Sequence, residues 1–491
     1  MNKILKSKVM SVVMCLIVMI GVIPIAVFAQ GAVSREAQEH ITSQLQRASI
    51  PNAAVAVIRS GETSYMLMDS RQDTLFEIGS VSKTFTAFGV LMLEEMGLLS
   101  VADPVNMHLP WFEARYNGTI VPHGDIRIYH FLQHTSGFTH DERRFPTIVI
   151  ETASEFISAY AGIELAFYPS TGHSYSNAGY MLLGLLIEAV SGLSYDEFMT
   201  QYVLHPLGLY STFTSIQNAH ATGRVIGGHQ RAFFRQSPVD MEHAPILIPQ
   251  GYIHSSITDM TRWAGIHLGI VDVPEPFARV VARSQENFHT ATNPFAEFDY
   301  HHVAGGWVVW DDSGIIEHTG AATGYVAAVR LLGEDDAAVV ILANSGVFGL
   351  TINRLADITA DAVIHGRFNN IGVDLYVIID IVLTAAIIWG LFSLYKFVRL
   401  LTQTIKRVRG GEAIKYSGIQ AKWFFDLTFA VAILLAIYLV LPNIFGLPVS
   451  ILIVVMPINM LIAILFAWFD LAHSLFGLWV RVFLRAENRG K

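Results

Sequence analysis

The chain has 491 residues, 52% of them hydrophobic and only 15% charged, with a formal net charge of −9. Soluble globular chains carry roughly 25% charged residues, so this composition and a mean hydropathy of +0.44 place part of the chain in lipid. The acidic balance excludes the basic footprint of a nucleic-acid binder, and a single cysteine, Cys15, excludes an intrachain disulfide or a thiolate metal site.

Lys3, Lys6 and Lys8 precede an apolar stretch from Val9 to Phe28, with Val27 and Ala29 before a plausible cut at Gln30. That is the pattern of a secretory signal peptide over residues 1–29, or of a signal anchor if it stays uncut. Either one exports the domain C-terminal to it.

Residues 31–370 have ordinary globular composition and form one expected domain. Ser34–Ser49 reads as an amphipathic helix, with Ala37, Ile41 and Leu45 at helical spacing. Ala53–Ile58 and Ser64–Met68 read as a hairpin around Ser60-Gly61, and Val81–Leu98 as a helix ending near Gly97. The middle mixes helical stretches (Tyr180–Val190, Tyr195–Val203) with loops rich in Pro and Gly. Strand character returns at Gly306–Trp310, Gly314–His318, Tyr325–Leu332 and Ala337–Ala343, the last two joined by the turn Gly333-Glu334-Asp335-Asp336. Leu350–His365 closes the domain as a helix. Strands at both ends with helices inserted between them predict an α/β fold: an antiparallel sheet flanked by helices, plus a helical subdomain.

Three apolar runs fill residues 371–491, at about 375–395, 423–441 and 449–469. Each approaches the ~20 residues that cross a hydrocarbon core. The loop between the first two carries Lys396, Arg399, Lys406, Arg407, Arg409, Lys415 and Lys422, and the tail carries Arg481, Arg485, Arg489 and Lys491. By the positive-inside rule both are cytoplasmic, which puts residues 31–370 outside the cell. Asp380 and Asp426 fall within the spans and are expected to face neighbouring helices or the headgroups.

Three short motifs carry chemistry. Ser80-Val81-Ser82-Lys83 opens the Val81–Leu98 helix. Positions three apart share a helix face, so the Lys83 amine can reach the Ser80 hydroxyl, and a desolvated amine can act as its base. A Ser-x-x-Lys pair alone also arises by chance about once in a chain this long. Tyr175-Ser176-Asn177 precedes the Tyr180 helix; a phenol near an ammonium can shuttle a proton, and an amide can hold a substrate amide. By itself this is an ordinary turn. His318-Thr319-Gly320 closes the strand Gly314–His318, offering backbone groups to an extended substrate, with His318 as a positive or hydrogen-bonding group. No Gly-x-Ser-x-Gly or His-Glu-x-x-His pattern is present, and His130 and His134, four apart, read as structural. Asn117-Gly118-Thr119 reads as a turn.

Together the three motifs resemble the nucleophile, proton-shuttle and strand motifs of the serine β-lactamases and penicillin-binding proteins. Phe76-Glu77-Ile78-Gly79, Leu132-Gln133-His134-Thr135-Ser136-Gly137 and Ser176-Asn177-Ala178-Gly179-Tyr180 extend the likeness over about 40–345. It is nearest the class C β-lactamase and D-alanyl-D-alanine carboxypeptidase branch, and the three C-terminal spans resemble the FmtA-like (Flp-type) membrane proteins. The resemblance implies a β-lactamase/transpeptidase-like domain and an acyl-enzyme on Ser80, with Lys83 and Tyr175 moving protons. Asn177, His318, Thr319 and Gly320 would bind substrate, and the backbone N–H groups of Ser80 and Ala321 would form the oxyanion hole. It implies no cofactor and no metal. The expected partner is a small peptide, ester or β-lactam. His318 stands where class C β-lactamases usually carry lysine. The resemblance thus implies a hydrolase of D-amino-acid-containing peptides or esters at the cell envelope; β-lactamase, D-aminopeptidase and carboxylesterase activity stay open, as does a slowly acylated sensor.

Overall fold

A computed structural model describes residues 26–28, 33–139, 150–239, 243–288, 302–310, 313–346, 349–373, 375–409 and 460–472, with isolated positions between 431 and 439. In chain order the elements that build the site are β1 (Ala26–Phe28), α1 (Arg35–Arg47), β2 (Ala53–Arg59), β3 (Glu62–Met68), α2 (Ser82–Glu95), α3 (Asn177–Ser191), α4 (Ile248–Gly251) and α5 (Ile257–His267). They continue with β4 (His302–Val303), β5 (Val308–Trp310), β6 (Ile315–Ala322), β7 (Tyr325–Leu332), β8 (Ala337–Ala343), α6 (Gly349–Ala360) and α7 (Leu375–Arg409). The eight strands form one antiparallel sheet in the order β1-β3-β2-β8-β7-β6-β5-β4.

Tight turns set its register. Ser60 and Gly61 both have positive φ (50° and 80°), the two-residue geometry that matches strand twist, and they pair Arg59 with Glu62. Alternate residues of β2 then serve opposite layers. Ala53, Val55 and Val57 pack with Ile41 and Leu45 of α1 and Ile352 and Leu355 of α6. Ala54, Ala56 and Ile58 join Phe85 of α2 and Trp263 of α5. Both faces are thus covered, which is why the strand reads as an unbroken apolar run. Trp263 stacks on Phe85 at 4.2 Å, and its indole N–H donates to Thr84 Oγ1 at 3.2 Å, fixing α2 over the sheet.

The expected elements recur with shifted ends. Ser34 caps α1 by accepting the Ala37 N–H. The helix expected over Tyr195–Val203 is α-helical to Met199 and then a π turn over Thr200–Leu204. Asn117 and Gly118 form a turn with φ of 51° and 75°. The strand expected to stop at His318 does not stop there. It continues through Thr319, Gly320 and Ala321 to Ala322, because these pair with Tyr325–Ala328 across a turn at Thr323-Gly324. The His-Thr-Gly motif therefore lies inside a strand and not at its end.

Among the described residues one helix is long and apolar enough to cross a membrane, Val377–Arg399 within α7, and Met460–Ala472 is a shorter apolar helix. The first of the three spans expected lies within α7, which runs on as helix to Arg409 where a loop was expected, and the span expected at 449–469 is described only from Met460. Most of the span expected at 423–441, with Asp426, lies outside the described residues, as do Cys15 and most of the signal segment. Asp380 faces protein and not lipid, since its carboxylate accepts the backbone N–H groups of Phe233 and Phe234.

Candidate active site

The short strand Leu75–Glu77 pairs with His254–Ser256 and delivers the chain to a single 3₁₀ turn, Gly79–Val81, that runs into α2. Ile78 N donates to the Ile253 carbonyl at 3.0 Å, and Ile253 N donates to Ser82 Oγ at 3.1 Å, so both ends of the turn are held. Gly79 has φ +52°, and a Cβ there would meet Ala321 N at 2.5 Å. A Cβ on Gly320 would meet the Ile78 carbonyl oxygen at 2.0 Å and Ser80 N at 3.0 Å. Only two glycines allow β6 to lie main chain against main chain on the nucleophile turn. This contact sets Ala321 N beside Gly79 and Ser80 N beside Gly320.

One turn into α2, Lys83 is fully buried. Its Nζ lies 3.2 Å from Ser80 Oγ, 2.9 Å from Asn177 Oδ1 and 2.5 Å from the Gln250 carbonyl. Asn177 stands at the first position of α3, whose start is fixed by Ser176 accepting the Gly179 N–H. Gln250 belongs to α4, where Thr86 Oγ1 also donates to the Pro249 carbonyl at 2.6 Å. Asn177 Oδ1 and the Gln250 carbonyl only accept, whereas the Ser80 hydroxyl both donates and accepts. As an ammonium Lys83 can donate to all three, and as an amine it can donate to the two obligate acceptors and take the Ser80 proton, so the set serves both states of a base.

Tyr175 closes the cluster. Lys83 Nζ sits 4.7 Å from its ring centroid. Burial raises its phenol pKa well above the ordinary range, and a hydrogen bond to Ser80 works in the opposite direction. His134 holds this segment. Its ring lies tilted against Tyr175, 4.5 Å between centroids, its Nδ1 accepts the Ser176 N–H at 3.1 Å, and its carbonyl accepts the Ser174 N–H at 2.9 Å. His134 leaves the helical path with φ +59°, so it does not share a helix face with His130. His130 instead sits 2.7 Å from Ser170 Oγ and accepts the Arg127 N–H.

His318 is buried on β6. Its Nδ1 lies 2.7 Å from the Thr319 carbonyl, which only accepts, so Nδ1 carries the proton and Nε2 the lone pair. Burial, and then the charge of Lys83, push its pKa down to about 4. At neutral pH His318 is uncharged. Of the two roles expected for it, the hydrogen-bonding one suits this uncharged ring. The chain thus brings together Ser80, Lys83, Tyr175, Asn177, Gly320 and Ala321, with His318 at 6.4 Å ring to ring from Tyr175. Two participants escaped the sequence reading. His134 had a signal in Leu132–Gly137; the Gln250 carbonyl, a backbone atom, had none.

An antiparallel sheet with helices on both faces, and a Ser-x-x-Lys turn opposed by an inner strand, define the serine β-lactamase and penicillin-binding class of hydrolases. The chain belongs to the beta-lactamase family, whose model matches residues 37–361. Protein flp of Staphylococcus aureus (strain MW2) is 27% identical over 318 residues, which are 62% of this chain and 61% of that protein. Penicillin-binding protein 4* of Bacillus subtilis (strain 168) is 35% identical over 154 residues, covering 29% of this chain and 31% of that one. The match thus spans about three fifths of the length of the Staphylococcus relative. Among solved structures, a class C beta-lactamase superposes with a TM-score of 0.56 at 18% identity, covering 65% of this chain and 94% of its own. The octameric penicillin-binding protein homologue from Pyrococcus abyssi gives 0.56 at 21% identity, covering 68% and 78%.

Proposed function

We propose that the protein is a membrane-anchored, extracytoplasmic serine hydrolase that works through an acyl-enzyme on D-amino-acid-containing peptides or esters of the cell envelope. The observation that carries this reading is the set of partners around Lys83 Nζ, two obligate acceptors and the Ser80 hydroxyl. Lys83 takes the Ser80 proton as Oγ bonds to the substrate carbonyl carbon. The carbonyl electrons move onto oxygen, which faces the Ser80 and Ala321 amides; removing one donor of such a pair costs about 3 kcal/mol in the transition state. Collapse breaks the bond to the leaving group, and Tyr175 relays to it the proton that Lys83 received. Water, activated by the same pair, then releases the acyl group. Asn177 and Thr319 orient the substrate, the latter from β6 as an added strand would be held.

With His318 uncharged, β6 offers no cation at the position where a lysine would stand. This favours esters and amine-bearing substrates over those ending in a carboxylate, and it separates the protein from a lysine-bearing β-lactamase. A second reading, a slowly acylated sensor, draws on the membrane segment. Gly390 of α7 lies against Phe466, and Phe397 against Phe469, so α7 and Met460–Ala472 run in the same direction, as the first and third of three spans would.

Intact-protein mass spectrometry after exposure to a penicillin, a D-Ala-D-Ala peptide and a short-chain ester tests both readings. Transient acylation with turnover of the ester or peptide supports the hydrolase, and a persistent adduct supports the sensor. The nucleophile assignment fails if the Ser80→Ala variant still acquires the adduct or retains turnover.

A further inference from the structure

The hairpin formed by Gly228–Ala232 and Arg235–Val239 takes no part in the cleft chemistry. Its turn is Phe233-Phe234, with φ of 50° and 62° at the two residues. Asparagine and glycine fill such turns at little cost; two phenylalanines are poorly suited to them. Both rings are also exposed, at 39% and 50%. Asp380 of α7 compensates the strained backbone: its carboxylate accepts the Phe233 N–H at 3.0 Å and the Phe234 N–H at 2.5 Å, with Arg231 Nε 3.7 Å away. The carboxylate that would be costly in lipid is thereby neutralised and bonded.

Asp380 is the fourth residue of the apolar stretch Val377–Arg399. At a rise of 1.5 Å per residue it lies about 5 Å inside the outer end of that stretch, which is the depth where headgroups meet acyl chains. Ile378, Ile381 and Val382 beside it are exposed, and so is Arg235 at the hairpin's second strand. Two aromatic rings with an exposed arginine behind them, pinned at that depth, match the chemistry of an interfacial anchor.

We propose that the Phe233-Phe234 turn is a second membrane contact. The two rings enter the outer leaflet beside α7, Arg235 meets the phosphates of anionic lipids, and Asp380 holds the turn at that level. The proposal rests on the reading that α7 spans the bilayer. The other end of the hairpin meets the turn that follows the cleft strand: His229 N donates to the Gly324 carbonyl at 3.2 Å, and Gly346 N donates to the His229 carbonyl at 2.7 Å. At about 3.3 Å per residue, the five steps from Gly228 to Phe233 put the end of β6 within ~17 Å of the headgroups. The cleft is thereby held at a fixed height above the membrane.

The test uses the full chain in nanodiscs containing phosphatidylglycerol, with Cys15→Ser as background. Phe234→Cys and, as a distant exposed site, Met107→Cys are labelled with an environment-sensitive fluorophore, and nitroxide-bearing lipid is the quencher. The label at 234 is expected to lose more than half its emission to the lipid quencher while the label at 107 keeps its own. Adding Asp380→Ala should abolish that difference with the protein still in the disc. Equal responses at 234 and 107 overturn the proposal, as does quenching at 234 that survives Asp380→Ala. Release of the unlabelled protein from native membranes by alkaline carbonate would instead overturn the spanning reading beneath it. The double variant Phe233→Ser/Phe234→Ser should stay carbonate-resistant and hydrolyse a soluble ester at the wild-type rate in detergent.

Discussion

Lys83 Nζ lies 2.5 Å from the carbonyl oxygen of Gln250, a residue 167 positions further along the chain. The acceptor is main chain, whereas the opposing acceptor, Asn177 Oδ1, is a side chain at 2.9 Å. Truncating the two residues should therefore have unequal effects. Gln250→Ala keeps its carbonyl and should change the acylation rate only a few-fold, while Asn177→Ala should slow it by about 10²-fold, the low end for losing a group that sets a proton-transfer partner. Stopped-flow acylation with a chromogenic ester separates the two. Equal losses would mean that the amine is not held by this pair.

Tyr175 and His134 form the second contrast. Tyr175→Phe preserves the ring over Lys83 and removes the hydroxyl, so turnover should fall by about 10²–10⁴ with little change in thermal midpoint. His134→Ala leaves the Ser176 N–H without its acceptor and removes the ring under Tyr175, so it should lower both turnover and the midpoint. Calorimetry beside steady-state kinetics reads both. A Tyr175→Phe variant with full activity would remove the phenol from the proton path.

The glycines facing the nucleophile allow a steric test. Gly320→Ala places a methyl 2.0 Å from the Ile78 oxygen, so it should destabilise the domain by at least the ~1–3 kcal/mol typical of overpacking and stop acylation. Gly333→Ala meets nothing within 4 Å and should be silent. Denaturant midpoints for the pair decide the point.

His318→Lys restores a fixed positive charge to the strand. Acylation by a penicillin, which carries a carboxylate, should rise relative to acylation by a neutral ester. A ratio that does not move would show that His318 is not what sets the cleft's preference.

Acid should weaken the fold through its buried histidines. Burial pushes His173, His254, His267 and His318 each down to about 4 from an ordinary 6.5. The folded state then binds fewer protons than the unfolded one, so stability is full above pH 6.5 and drains away as pH falls from 6.5 through 4. His267→Phe keeps the packing between Trp263 and Trp307 and removes one of these groups. Its thermal midpoint should fall less steeply across that window, and an unchanged slope would exclude His267 from the effect.

Much of the sheet was legible because its turns and apolar periods are local. Ser60-Gly61 announces the β2–β3 hairpin, and the run Ala337–Ala343 can hardly be anything but a buried strand. The end of β6 was not, since Thr319-Gly320-Ala321-Ala322 has weak strand propensity and is held by pairing with β7. At the site, the side chains of Ser80, Lys83, Tyr175 and Asn177 announced themselves by motif. The Gln250 carbonyl could not, because any residue supplies one. The charge state of His318 was hidden as well, being set by burial and by Lys83, both products of the tertiary fold. Asp380 was seen as a costly residue, but the Phe233-Phe234 turn that answers it lies 146 positions away.

Gly79 and Ala321 touch through backbone alone. A contact of that kind carries almost no side-chain identity: two positions must stay glycine, and everything else around them is free to drift. Substrate preference can therefore be rewritten by changing the residues that line the cleft, with the reacting atoms left where they were. It is an arrangement open to divergence, in which the geometry of the attack is inherited and the choice of what to attack is not.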